Sequence, residues 1–280
     1  MEVEVAMGVW ILAGVTFREA ARKKLLWMAL LAGLAFLALF GTGLHYHMKD
    51  FTTRSVLIRR QVLNAMLMMG LYAVDLLTVM MTVLTSVDTL SGEISSGTIH
   101  AVATKPISRW QVLVGKWLGF VGMLTAYIIL MVGGTAAVTY VLTGYAARHL
   151  VRGMSLILLE SLLLLTVTFL FGTTFSTLTN GVLALGLHGL AFMGGWIEQV
   201  GAELHSPRAV TVGVVASVIM PSESLWRRAA YEMQSPLVGA LGFSPFSNAS
   251  TPSLAMVAYA AAYLALALAL AIRRFGRRDL

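Results

Sequence analysis

The sequence predicts an all-α integral membrane protein with six transmembrane helices. Hydrophobic residues make up 58% of the 280 residues and charged residues only 12%, whereas a soluble domain has about 25% charged residues. The apolar residues lie in uninterrupted blocks of about 20, the length that crosses the hydrocarbon of a bilayer as a helix. Lysine and arginine flank these blocks, as interfacial anchors do, and form no single basic face that would indicate nucleic-acid binding.

An N-terminal interfacial helix precedes the spans in this interpretation. Residues 7–24 form an amphipathic pattern, because Trp10, Phe17 and Ala21 recur at helical spacing, and such a helix would lie along the membrane surface. The predicted transmembrane spans cover residues 25–44, 62–87, 117–142, 155–178, 182–200 and 254–272.

The segment between the fifth and sixth spans is predicted to hold re-entrant or extracellular short helices, over residues 209–233. Residues 209–220 are apolar but too few to cross a membrane. Pro221 then begins an amphipathic helix whose pairs Glu223/Arg227 and Arg228/Glu232 stand four residues apart. Basic clusters before the first span and after the last one place both termini in the cytoplasm, because cytoplasmic segments are enriched in lysine and arginine.

Residues 88–116, between the second and third spans, carry strong local helix signals. Gly97 is expected to end the extension of the second span, and residues 98–103 have room for a short helix. Pro106 stops that helix, because proline disfavours helical geometry in the residue before it. Ser108 and Gln111 then have the spacing of a capping box at the start of the next helix. The pattern predicts a short helix held between two spans, so that force on it would move both.

This pattern resembles the cytoplasmic loop of ABC-2-type exporter permeases, within the branch that includes nitrous-oxide-reductase maturation and sodium-efflux permeases. The resemblance lies in an acidic residue, a Gly-Thr pair, the run Lys-Pro-Ile-Ser-Arg and a later Gly-Lys pair. It extends to the entry helix and implies one transmembrane domain over residues 1–280. The residues it assigns to ATPase coupling are Glu93, Gly97, Thr98, Ile99, His100, Val102, Lys105, Pro106, Ser108 and Arg109.

The resemblance implies a dimer of permeases, with a second copy or a homologue, each docked on an ABC ATPase subunit in a prokaryotic plasma membrane. ATP and magnesium are expected in that partner and no cofactor in this chain. Gly115-Lys116 is followed by Trp117 and lacks the upstream glycine of a P-loop, so it indicates only a lysine at the end of a span. We therefore expect a transport subunit in contact with lipid, neither an enzyme nor a nucleic-acid binder.

Asp75 lies near the middle of the second span, where an ionised carboxylate costs about 2.5–3.5 kcal/mol, so it should face protein or water. Thr78 and Thr82 follow on the same helical face. Two interpretations stay open: these residues line the transport path or couple an ion, or they form a packing contact between helices.

Other polar and sulfur residues favour structural roles. Glu160 and His188 stand alone in their spans and are assigned to packing or to the interface. The methionines between positions 66 and 81 do not share one face, which argues against a copper site, and no metal site is predicted. Gly115 and Gly119 would permit close helix approach. With no cysteine and no hydrolytic motif, an intramembrane enzyme is a weaker alternative than an ATP-independent transporter or channel.

Overall fold

The computed structural model describes residues 2–22, 24–50, 56–96, 108–235 and 250–277, and their regular elements are all helices. Apolar runs without internal proline favour helices in a bilayer, because a helix satisfies every backbone polar group within one segment. The helices are α1 (Glu2–Arg22), α2 (Lys24–Asp50), α3 (Val56–Ser95), α4 (Arg109–Thr143), α5 (Leu150–Gly172), α6 (Thr177–Glu203), α7 (Pro207–Ile219), α8 (Ser222–Met233) and α9 (Leu254–Arg277).

Six of these helices are long and apolar enough to cross a membrane, namely α2, α3, α4, α5, α6 and α9. The predicted all-α fold with six spans is therefore confirmed. The helix ends differ from the predicted span ends at one place in particular: α5 ends at Gly172 and α6 begins at Thr177, inside the predicted fourth span. Ser176 has extended backbone geometry and precedes α6 as its N-cap, so the threonines and serine there form a turn, which hydropathy alone does not detect.

Helix α5 lies at the centre of the bundle, where it packs against α3, α4, α6, α8 and α9. Its side chains at Leu163, Leu164 and Leu165 are fully buried, and Phe169 meets Phe120 of α4 edge to face, with ring centroids 5.9 Å apart. By contrast, only 11% of the span of α2 and 17% of the span of α9 is buried. The outer helices therefore present apolar faces to lipid or to another protein.

Helix α1 packs along α4 through a face of small residues. Val9, Ala13, Thr16 and Ala20 are buried, whereas Trp10 on the other side is 68% exposed. A Cβ atom added at Gly119 of α4 would lie 2.8 Å from the carbonyl oxygen of Ala13. Gly115 and Gly119 therefore do allow the close approach that their spacing predicts.

Replacing Gly119 with alanine is expected to destabilise the protein by about 1–3 kcal/mol, because the added methyl group would overlap a backbone atom that cannot move away. The matched control is Gly133→Ala on the same helix, since a Cβ atom there meets nothing within 4 Å. That change should be neutral or stabilising by up to about 1 kcal/mol, because alanine favours a helix more than glycine does. Thermal unfolding in detergent distinguishes them, and equal melting temperatures would refute the tight α1–α4 contact.

Helices α7 and α8 form a re-entrant pair, bent by 106°. Three residues separate the end of α6 from the start of α7. The end of α8 lies at the connection between α4 and α5, where the backbone N–H of Arg148 donates to the carbonyl of Met233 at 3.2 Å. Both places lie at the end of the bundle opposite the connection between α3 and α4. The start of α7 and the end of α8 therefore lie at the same end of the bundle, which is the arrangement of a re-entrant segment.

The end where the re-entrant pair emerges is closed by hydrogen bonds to Asn64, near the start of α3. Its side-chain oxygen accepts from the Tyr145 hydroxyl at 2.9 Å and from the backbone N–H of Ser235 at 3.1 Å. Burial raises the pKa of Tyr145 above its usual value, so the phenol stays protonated and keeps donating.

Helix α8 is buried in the bundle, although its amphipathic pattern predicts one apolar and one exposed polar face. Leu225 and Ala229 are fully buried, and Arg227 is only 2% exposed. The predicted pair Arg228/Glu232 is confirmed, with a nitrogen–oxygen distance of 2.7 Å. Arg227 forms its ion pair with Glu198 of α6, at 2.8 Å. The polar face of α8 is thus buried because α6 supplies it with a partner.

Candidate functional site

The loop end is the end of the bundle that holds the connection between α3 and α4. The capping box predicted at the start of α4 is confirmed: Oε1 of Gln111 accepts hydrogen bonds from the backbone N–H of Ser108 at 2.8 Å and from its hydroxyl at 2.6 Å. Arg109 is the first residue of α4. The other predicted coupling residues except Glu93 lie outside the described residues: Gly97, Thr98, Ile99, His100, Val102, Lys105 and Pro106.

An ion pair between Glu93 and Lys116 joins α3 to α4 at the loop end. The Lys116 side chain is only 9% exposed and that of Glu93 is 24% exposed, so the pair is shielded from water and stronger than a surface pair. The sequence indicates Lys116 only as a lysine at the end of a span. Its pairing with a residue 23 positions earlier follows from the packing of the two helices, which are therefore tied together beside the loop.

A cavity of about 340 Å³ opens beside this ion pair, between α1, the end of α3 and α4. Its polar lining includes the carboxylates of Glu19, Asp88 and Glu93 and the ammonium group of Lys116. The loop end thus combines the long helices α3 and α4, a shielded ion pair that links them, and an acidic cavity that α1 closes on its third side.

A second polar region lies deep in the bundle around Asp75. Asp75 of α3, Glu160 of α5 and Glu223 of α8 are 5%, 1% and 5% exposed, and their carboxyl groups interact with one another. Glu160, which appears isolated in the sequence, is therefore a neighbour of Asp75. Arg227 is a positive group that acts on Glu223.

Thr78 and Thr82 are fully buried beside this cluster. The hydroxyl of Thr78 donates to the carbonyl of Val74, and that of Thr82 donates to the carbonyl of Thr78, both at 2.7 Å. In this arrangement the hydrogen-bond donor of each hydroxyl is used within α3, and each oxygen can still accept a hydrogen bond. The predicted role of Asp75, Thr78 and Thr82 as a lining of the transport path stays a prediction.

The polar groups near Asp75 continue into a network that sequence reasoning missed. Glu198 accepts from Arg227 at 2.8 Å and from the Ser250 hydroxyl at 2.6 Å, and His188 contacts the Ser222 hydroxyl at 3.1 Å. His188, also isolated in the sequence, thus has a partner on α8. Among the residues that the structure describes, no three histidine, aspartate or glutamate side chains are arranged to hold a metal ion.

The comparison with protein families accounts for nearly the whole chain. The family model described as ABC-2 family transporter protein matches residues 10–280. The chain belongs to this family. Members of the ABC-2 family are membrane transport subunits of ABC-type transporters, not enzymes, so the predicted multi-pass transport protein is confirmed. The search of curated proteins found no match.

Proposed function

We propose that this ABC-2 chain is the permease subunit of an ABC exporter, driven by a separate ATPase that docks on residues 97–109. The observation that carries the proposal is the arrangement at the loop end, where α3 and α4 flank this segment and the Glu93–Lys116 ion pair ties them together. A force on the segment would therefore tilt both helices as one unit. The chain has no P-loop motif, so ATP and magnesium belong to the partner.

Helix α3 is suited to carry that force into the membrane. It is continuous over 40 residues, which corresponds to about 60 Å at the rise of an α-helix, about twice the hydrocarbon thickness. Asp75 lies 20 residues before its end at Ser95. There α3 meets Glu160 on the central helix α5 and Glu223 on the re-entrant helix α8. A tilt of α3 would therefore change the contact between three helices at the buried carboxyl groups.

The proposal includes a dimer of two identical or homologous permeases with the substrate path between them. The apolar faces of α2 and α9, little buried within one chain, support a partner in the membrane. The resemblance of the loop to nitrous-oxide-reductase maturation and sodium-efflux permeases favours the same branch, in a prokaryotic plasma membrane with both termini cytoplasmic.

The orientation is tested with reporters. A reporter fused after Leu280 should be active only in the cytoplasm, because α9 ends at the loop end where the ATPase docks. One inserted after Ser247, between α8 and α9, should be active only outside, because the re-entrant pair emerges at the opposite end. Activity of both reporters on the same side would contradict the six-span orientation.

The path-lining role is tested at Thr78, in a chain without native cysteine. We expect Thr78→Cys to resist a water-soluble thiol reagent at rest, because Thr78 is fully buried, and to react during ATP-driven cycling, when α3 tilts. Ala146→Cys, in the exposed connection between α4 and α5 at the end opposite the docking segment, should react in every state. Protection of the Thr78 position throughout cycling would assign the threonines to packing.

A further inference from the structure

The acidic cavity at the loop end carries a feature that packing alone does not explain. It lies between α1, α3 and α4, has a volume of about 340 Å³, and is lined by Thr16, Glu19, Asp88, Thr89, Glu93 and Lys116 among others. Of the charged groups named there, three are carboxylates and one is an ammonium group, which Glu93 already binds. The described lining therefore carries a net negative charge. This contrasts with the rest of the loop end of the bundle, where clusters of lysine and arginine predominate.

Thr89 provides an independent observation that a ligand belongs in this cavity. Neighbouring hydroxyl groups on α3, those of Thr82, Thr85 and Ser86, donate to the carbonyl four residues earlier, at 2.6 to 2.7 Å. Thr89 is only 7% exposed, yet within the described parts of the chain its hydroxyl has no hydrogen-bond partner. A buried hydroxyl without a partner is costly. Thr89 lines the cavity but its hydroxyl oxygen is shielded, so a group bound there would satisfy it after the side chain rotates about its Cα–Cβ bond.

The chemistry of the lining favours an organic cation over a metal ion. The carboxylates surround a wide cavity, and no three acidic or histidine side chains in the described ranges converge as metal ligands do. A guanidinium or ammonium group offers several N–H donors spread over a few ångströms. Such donors match carboxylates through charge-assisted hydrogen bonds and match the hydroxyls of Thr16 and Thr89 as acceptors.

We propose that this cavity receives an arginine or lysine side chain of the ATPase subunit. The inference rests on the proposed function, because the cavity lies beside Ser95, where α3 ends and the proposed docking segment follows. The inserted cation would lie next to Glu93 and compete with Lys116 for its carboxylate. Docking would in this way alter the ion pair that ties α3 to α4, and so reach both spans.

The first test measures charge selectivity in the permease alone. A single cysteine introduced as Ser95→Cys, at an exposed position lining the cavity, is labelled with a cationic and an anionic methanethiosulfonate of similar size. Relative to the ratio of their rates with a free thiol in solution, we expect the cationic reagent to be favoured about tenfold, because acidic clefts concentrate cations. Adding Glu19→Gln and Asp88→Asn should remove most of that preference. A rate ratio equal to that of the free thiol before these additions would overturn the proposal.

The second test uses the ATPase that co-purifies with the unmodified chain. Glu19→Gln with Asp88→Asn should weaken its binding at least about tenfold and leave the melting temperature unchanged, because both side chains are exposed. The control Glu203→Gln, at the exposed end of α6 opposite the loop, should leave binding unchanged. If the double variant binds the ATPase with full affinity, the role of the cavity is overturned and the proposed function still stands. If no ATPase binds the unmodified chain, the proposed function is overturned as well.

Discussion

Replacing both Ile99 and Val102 with aspartate is expected to abolish ATPase co-purification and substrate-stimulated ATP hydrolysis. These residues supply the apolar side chains of the proposed docking segment, and a central apolar anchor typically contributes about 2 kcal/mol or more to an interface. Losing two of them would weaken binding by about 4 kcal/mol, or roughly a thousandfold. The measurements are retention of the ATPase on the purified permease and its rate of ATP hydrolysis.

The matched control places the same two aspartates at the opposite end of the bundle. Ala146 lies in the connection between α4 and α5, and Val151 lies at the start of α5. Both are exposed, Val151 at 76%. Ala146→Asp with Val151→Asp should leave ATPase binding intact. Aspartates on α8 would be unsuitable controls, because Leu225 and Ala229 are fully buried. If the Ile99 and Val102 variant binds and stimulates its ATPase normally with unchanged melting, the segment is not the docking element.

Replacing Arg227 with methionine should destabilise the permease by about 3–5 kcal/mol, because the change leaves the Glu198 carboxylate buried without its partner. The pair is 2.8 Å long, and both side chains are less than a tenth exposed. Adding Glu198→Gln should recover part of the loss, since the uncompensated charge is then gone. Thermal unfolding of the two single variants and the double variant measures this coupling.

The control for this buried pair is Arg152→Gln at the surface. Arg152 lies 3.7 Å from Glu232, and its side chain is 71% exposed, so its loss should cost no more than about 1 kcal/mol. An Arg227 variant as stable as the Arg152 variant would show that α8 is not held in the bundle by this ion pair.

The spans and the capping box could be predicted from sequence because local signals determine them. A span needs about 20 consecutive apolar residues, and the pairing of Ser108 with Gln111 involves positions only three apart. The spacing of Gly115 and Gly119 predicted that another helix could approach α4 closely. It did not indicate that α1 is this helix.

The burial of α8 could not be predicted, because it depends on contacts between distant positions. Its sequence holds Glu223 and Arg227 in the pattern of a surface helix, and nothing local indicates that Glu198, 29 residues earlier, faces Arg227. Asp75 and Glu160 likewise meet only because α3 packs on the central helix α5. Polar residues that stand alone in separate spans therefore form one region only when the helices are assembled.

The measurement that tests the central claim most directly is purification of the tagged chain from its native membrane in mild detergent. Mass spectrometry identifies the retained subunits, and ATP hydrolysis is assayed on the purified complex. We expect a P-loop ATPase of the ABC class in equal copy number to the permease, with hydrolysis that requires it. A chain that is purified without such a subunit, yet moves substrate across reconstituted vesicles in the absence of ATP, would contradict the account.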